Sequence, residues 1–242
     1  MSHKTHIRTF DFEKGYLVAE KYKIISKLGS GWEGEVYLTE ELDTGIERTA
    51  KFFYPQRNIR NSAAVAYAKK LHKVRQSPVI IQYHNREQTL FQEREVTCLI
   101  SEYVDGDILQ DYINRHPRRR LQSFQALHLL HAMACGLESI HQLGEYHGDL
   151  HTGNVFVKQK GIFYEIKLFD LFDWKDSKRE NRRKDICDLI RIFYDCLGGA
   201  ATYRLQSDEI KYIICGLRRD MILNKFPTVT ALKNFLETFD WN

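Results

Sequence analysis

Asp149 and Asn154, in the stretch His147-Gly148-Asp149-Leu150-His151-Thr152-Gly153-Asn154, are the residues whose types and spacing most directly imply chemistry. An aspartate can take the proton of an attacking hydroxyl, and an asparagine five positions on can hold a metal ion beside it through its amide oxygen. The apolar run Val155-Phe156-Val157 follows at once, so both groups sit on a short loop directly ahead of a strand. A second metal-ligating acid stands after another strand-like run, Ile166-Lys167-Leu168-Phe169-Asp170. Upstream, Gly29-Ser30-Gly31-Trp32-Glu33-Gly34 is a turn whose glycines let backbone amides come close to phosphate oxygens. A base, two oxygen ligands for a cation and a phosphate-sized turn are the parts of a phosphoryl transfer.

The elements that must position these groups follow from periodicity. Residues 1–20 are weakly patterned and read as a leader lying on the first part of the chain, with room for one extra strand. Tyr22 to Leu28 is strand-like, and Glu35-Val36-Tyr37-Leu38-Thr39 alternates, so the glycine turn joins two strands. A dinucleotide-binding turn of the same spelling would open a helix instead. Asp43-Thr44-Gly45 turns into a third strand, Glu47 to Phe53, which carries Lys51. Ala63 to Val74 is a helix by composition, and Val79 to Phe91 and Val96 to Tyr103 read as a strand pair. Ser123 is the expected cap of a long helix with Phe124, Leu127, Leu130, Ala134, Leu137 and Ile140 at helical spacing, ended by Gly144. His128 and His131 lie on it, but without two further ligands in view they are core or surface histidines. His147 and His151 are no zinc pair either, because Gly148 and Gly153 make a helix there improbable.

Taken in order, these motifs resemble the protein kinases. His147 to Asn154 is similar to the catalytic loop H-R-D-L-x-x-x-N, and Leu168-Phe169-Asp170 stands where that family carries its D-F-G aspartate. The glycine turn matches G-x-G-x-x-G-x-V through Val36, and Ser101-Glu102-Tyr103-Val104-Asp105-Gly106 resembles the hinge. The resemblance implies a two-lobed α+β fold, with a small antiparallel sheet over residues 1–103 and a shortened helical lobe over 104–242. It implies ATP and Mg²⁺ as cofactors. Gly29, Ser30, Gly31, Gly34 and Val36 would cover the nucleotide, Lys51 would pair its phosphates, and Glu102 and Val104 would face the base through their backbones. Ser101 would be a small gatekeeper, and Asp105 or Asp107 could reach a ribose hydroxyl. Asn154 and Asp170 would hold the metal, Asp149 would orient the acceptor, and His147 would brace Asp185 beneath the loop.

The departures are as informative. Between Gln56 and Arg86 there is no acid, so the helix glutamate that holds the family's lysine is absent; Glu33 or Glu35 is the nearest replacement in sequence. Gly148 replaces the catalytic-loop arginine, His151 stands where protein kinases usually have lysine, and Phe172 replaces the D-F-G glycine. Fourteen residues separate Asp170 from Asp185, which is expected to open a buried helix through Leu197, and no A-P-E occurs among them. Phe226-Pro227-Thr228 stands where the family has R-P-T, so both halves of an ion pair are missing, which costs far less than losing one. A final helix is expected from Val229 to Phe239. Asp173 to Lys184 is short and basic, with Lys175, Lys178, Arg179, Arg182, Arg183 and Lys184 able to attract an acidic partner surface.

Three readings remain open on sequence: a serine/threonine protein kinase, a small-molecule kinase of the aminoglycoside and choline type whose H-G-D-L-H-x-x-N loop this stretch resembles, and a nucleotide-binding scaffold. Transfer of AMP in place of phosphate is a further variant. The bounds are those of an ordinary globular protein: 242 residues, 43% hydrophobic and 28% charged, with a net charge of +4 too small to argue for nucleic acid. Pro117-Arg118-Arg119-Arg120 reads as a solvated turn. The five cysteines (98, 135, 187, 196 and 215) are widely spaced, which suits a reducing compartment, and no signal peptide or membrane span is visible, so the expectation is a cytoplasmic protein.

Overall fold

The computed structural model describes residues 6–174 and 176–239. The chain divides into two compact units, Met1–Arg75 with Ile81–Val104, and Gln76–Ile80 with Asp105–Asn242.

The first unit is a six-stranded antiparallel sheet. Its elements are β1 (Leu17–Val18), β2 (Tyr22–Ser30), β3 (Gly34–Glu41), β4 (Glu47–Phe53), α1 (Ser62–Lys73), β5 (Tyr83–Phe91) and β6 (Arg94–Glu102), with strand order β1-β2-β3-β4-β6-β5. Side chains alternate across a strand, so the pairing Val36↔Lys51↔Leu99 assigns each position to a face. Tyr37, Ala50, Phe52, Cys98 and Ile100 face one way and bury against Phe10 and Phe12 of the leader. Phe53 and Leu99 face the other way, against Ala64 of α1. The leader therefore contributes to this unit's core, through ring contacts such as the tilted pair of Phe12 and Phe52 at 4.7 Å. The fifth strand begins at Tyr83, four residues later than its apolar run suggests, because Val79 and Ile80 are taken by the second unit.

That unit comprises β7 (Asp107–Ile108), α2 (Leu109–Arg115), α3 (Ser123–Gln142), β8 (Val155–Lys160), β9 (Phe163–Leu168), α4 (Lys178–Cys196), α5 (Ala200–Tyr203), α6 (Asp208–Ile214), α7 (Arg219–Lys225) and α8 (Val229–Thr238). The sheet β7-β8-β9 packs on α3, where Gly136 allows close approach: a Cβ there would lie 3.1 Å from Ile166 of β9 and 2.8 Å from Val79. Leu168 N–H donates to Val79 C=O at 2.6 Å, which ties residues 76–80 to this unit. Among the described residues no helix is long and apolar enough to cross a membrane.

Three expectations need correction. Ser123 does not cap α3; Gln122 does, in a capping box with Gln125. Phe124 is 60% exposed, covering His128 at the helix start instead of joining the core, which begins at Ala126. Asp185 does not open α4; the helix starts at Lys178, with Ser177 accepting from the Glu180 N–H as its cap, so Asp185 lies mid-helix. Ser177 and Glu180 are spaced as a capping box, a signal that the comparison with a longer family pattern hides. Phe226 is buried against Phe235, so an apolar contact stands where the ion-pair arginine would be.

Candidate active site

In the first unit Lys51 is held by the glycine turn. Its Nζ lies 3.2 Å from Glu33 Oε2 and 4.6 Å from the ring centre of Tyr67 on α1. An acid adjoining β3 thus takes the place of the missing helix glutamate, and the helix presents an aromatic face to the cation. Glu35 cannot do this. It is paired with Phe52, on the opposite face of the sheet from Lys51. There it is 1% exposed and accepts from Thr9, Tyr37, Tyr54 and Lys27, a buried carboxylate that clasps the leader. Burial alone would raise its pKa; the donors from Tyr37, Lys27, Thr9 and Tyr54 outweigh this and hold it below the ordinary carboxylate range.

The two glutamates should separate in the laboratory. Glu33→Gln is expected to lower kcat about 3- to 10-fold, the effect of roughly 1 kcal/mol of lost lysine orientation, with Tm unchanged. Glu35→Ala is expected to lose about 2–3 kcal/mol of stability, or about 5–10 °C in Tm. Because the folded-state pKa of Glu35 is depressed, its contribution is present above the unfolded value near 4.5 and is lost as pH falls through the folded value. Tm measured against pH should therefore fall less steeply below pH 4.5 in Glu35→Ala than in the wild type.

The glycine turn leaves space for a ligand. Gly31 N–H is used within the turn, donating to Gly34 C=O at 2.8 Å, and nothing stands within 4 Å of where a Cβ at Gly29 or Gly31 would lie. Gly34 has a separate reason: a Cβ there would lie 1.8 Å from the Phe52 carbonyl oxygen on β4. Val36 pairs with Lys51, and Ser30 lies at the end of β2. Glu102 ends β6, where its N–H and side chain both bond Gln82, and Val104 closes this unit. Ser101 is buried. Asp105 pairs with Lys158 and Asp107 with Arg115, so both acids are engaged within the second unit.

In that unit Asp149 and Asn154 are joined directly. Asn154 Nδ2 donates to the Asp149 carbonyl at 2.9 Å and stands 3.4 Å from its carboxylate, which directs the amide oxygen elsewhere. The β8–β9 register, with Val155 opposite Leu168, brings Asp170 to the same end of the hairpin, and Phe169 N–H donates to Asn154 C=O at 3.2 Å. An amide oxygen and a carboxylate on adjoining backbone are an all-oxygen set, suited to magnesium. Asp170 holds a left-handed φ of +54°. Thr152 anchors the loop to Gln110 of α2, and His151 Nε2 lies 3.8 Å from the Asp149 carboxylate.

Beneath the loop, Asp185 is fully buried and accepts from the backbone N–H groups of His147 and Gly148, both at 2.8 Å, and contacts His141 at 3.0 Å. His147 is also buried, and its Nδ1 accepts from the Asp149 N–H. The sequence pointed to His147 and Asp185 but not to the residues gripping Gly148 from the far side. Trp174 Nε1 donates to the Gly148 carbonyl at 2.6 Å and Lys184 Nζ at 3.2 Å. Lys184 also pairs with Asp188, whose carboxyl burial pushes above its ordinary range, with Asp185 and Asp149 adding to the effect and Lys184 opposing it. The i, i+4 spacing of Lys184 and Asp188 was visible in sequence; their role at Gly148 was not.

A glycine hairpin with a strand lysine in one unit, and in the other a loop joining Asp149 to Asn154 with Asp170 following β9, define a kinase-like architecture. The chain belongs to the protein kinase domain family, whose sequence profile matches residues 22–188. Among curated proteins it is similar to the serine/threonine-protein kinase pkn2 of Myxococcus xanthus, 28% identical over 152 residues, covering 62% of this chain and 18% of that protein. A serine/threonine-protein kinase of Arabidopsis thaliana is 29% identical over 160 residues, 64% of this chain and 26% of the relative. The chain thus spans about a fifth to a quarter of the length of these relatives. In structure it is similar to the PknI kinase domain of Mycobacterium tuberculosis, with a TM-score of 0.67 at 17% identity, covering 93% of this chain and 97% of that domain.

Proposed function

We propose that the chain is an ATP- and Mg²⁺-dependent protein serine/threonine kinase that needs no phosphorylation of the segment after Asp170. The observation that carries this reading is the assembly of Asp149, Asn154 and Asp170 at one end of the β8–β9 hairpin. When bound, magnesium would neutralise charge developing on the transferred phosphate. Asn154 and Asp170 would hold it through oxygen, and Lys51, oriented by Glu33, would meet phosphate charge. Asp149 would accept a hydrogen bond from the acceptor hydroxyl, aim its oxygen at phosphorus and take its proton as the new P–O bond forms. ADP leaves with the electron pair of the broken bond. The Glu33–Lys51 pair favours catalysis over a scaffold role, because it supplies the lysine clamp that the missing helix acid had put in question.

One observation favours a second reading. His151, not a lysine, stands beside the base, as in the small-molecule kinases that the loop resembles. Incubation with γ-labelled ATP and a cell lysate, with Asp149→Ala as control, separates the readings. Label on protein bands is expected; label on small molecules alone supports the second reading, and no label overturns both.

Independence from phosphorylation rests on Gly148. A phosphorylated segment is received by an arginine at this position, through charge-assisted bonds. Here the space beyond Gly148 is filled by the Phe172 carbonyl. Of the basic residues that follow, Lys175 lies outside the described residues, Lys178 pairs with Glu145, Arg183 with Glu180 and Lys184 with Asp188. These internal pairs weaken the case for an acidic partner surface. Ser177→Ala should keep full activity and lose only the helix cap, about 1 kcal/mol and about 2–4 °C in Tm. A large loss of activity restored by Ser177→Glu would refute it.

A further inference from the structure

Among the described residues one cluster of three metal-ligating side chains converges, and it shares no residue with the catalytic loop: His131, Cys135 and Glu237. His131 and Cys135 stand four apart on α3, so they share a face of the helix. Helix α8 packs on that face and delivers Glu237 from its last turn. His131 Nε2 lies 2.9 Å from Glu237 Oε1 and 3.6 Å from Cys135 Sγ, and the three ligand atoms all lie within 4.8 Å of one another.

Around a tetrahedral zinc ion with bonds of about 2.0–2.3 Å, neighbouring ligand atoms sit about 3.3–3.6 Å apart. The sulfur–nitrogen edge already has that length. The nitrogen–oxygen edge must open by about 0.4 Å, a small torsion for a side chain that is 43% exposed. A thiolate with an imidazole selects zinc over magnesium or calcium, which take oxygen alone. Partial exposure of His131 and Glu237 leaves an entry path and a place for water as fourth ligand. One turn along both helices, Lys233 pairs with Glu138 at 2.6 Å and fixes the register of α8 on α3. The sequence places Cys135 one helical turn from His131, but Glu237 is 106 residues away and arrives only through the packing of α8 on α3.

We propose that His131, Cys135 and Glu237 bind one zinc ion, completed by water, which clasps the end of α8 to α3. Titrating the full, metal-free chain with Co²⁺ should give one bound equivalent with a thiolate-to-cobalt charge-transfer band, displaced by Zn²⁺. Zn²⁺ should raise the Tm of the wild type but not of Cys135→Ser, which should also lose the band while keeping its circular dichroism spectrum and transfer activity. Glu237→Gln, a change on an exposed side chain that leaves folding intact, should weaken Zn²⁺ at least tenfold. No band at saturating Co²⁺, an undiminished band in Cys135→Ser, or unchanged Zn²⁺ affinity in Glu237→Gln overturns the proposal.

Discussion

Asp149→Ala is expected to lower phosphoryl transfer by about 10²–10⁴-fold, while Mg·ATP still raises the Tm of the variant. In the proposed mechanism the carboxylate acts on the acceptor, and the contact that places Asn154 runs mainly to the Asp149 backbone carbonyl, which the substitution leaves in place. Asp170→Ala would instead remove one of the two proposed oxygen ligands. It should lose both transfer and the metal-dependent part of the Tm shift, because the amide of Asn154 alone binds a hard cation weakly. Thermal shifts with ATP, with and without Mg²⁺, distinguish the two. Equal loss of the shift in both variants would show that Asp149 also holds the metal, and the assigned roles would fail.

Restoring the family's arginine at Gly148 should inactivate the chain. Gly148 has φ +89°, and a Cβ there would lie 2.3 Å from the Phe172 carbonyl oxygen. Any side chain therefore adopts an unfavourable backbone and drives residues 172–174 away, breaking the Phe172 N–H bond to His147 and the Trp174 bond to Gly148. Asp149 is the next residue, so a displacement of about 1 Å is expected to cost about 100-fold in kcat. Strain of about 1–3 kcal/mol should lower Tm by several degrees. Gly148→Ala tests the steric part without adding charge and should lose most of the same activity. Wild-type turnover in Gly148→Arg would mean that the segment after Asp170 is not docked against the loop in the working enzyme.

Much of the site was legible because its logic is local. Asp149 and Asn154 lie on one loop, so their spacing limits how far apart they can be. Lys51 and Val36 share a face because the structure pairs them across β3 and β4, and only with that pairing does the period-two alternation of β3 exclude Glu35 as the partner of Lys51. The two-part α+β fold was implied by the resemblance to the protein kinases, which the glycine turn, the strand lysine and the catalytic loop carry in order. What failed at the element level failed at ends: the Gln122 cap, the exposed Phe124 and the start of α4 two turns before Asp185. Caps and terminal turns are settled by which neighbours remain to cover them, and the strand or helix period carries no record of that.

The replacements for missing family residues required the tertiary structure. The sequence by itself determined that an acid was absent from α1, that an arginine was absent before Asp149, and which residues stood in their places. It did not determine that Glu33 and Tyr67 would meet Lys51, that the Phe172 carbonyl would fill the space beside Gly148, or that Glu237 would reach His131 and Cys135. Each of these contacts joins segments distant along the chain. Their distances are fixed by the pairing of strands and the packing of helices, and side-chain spacing within any one segment is the same whether or not the second segment arrives.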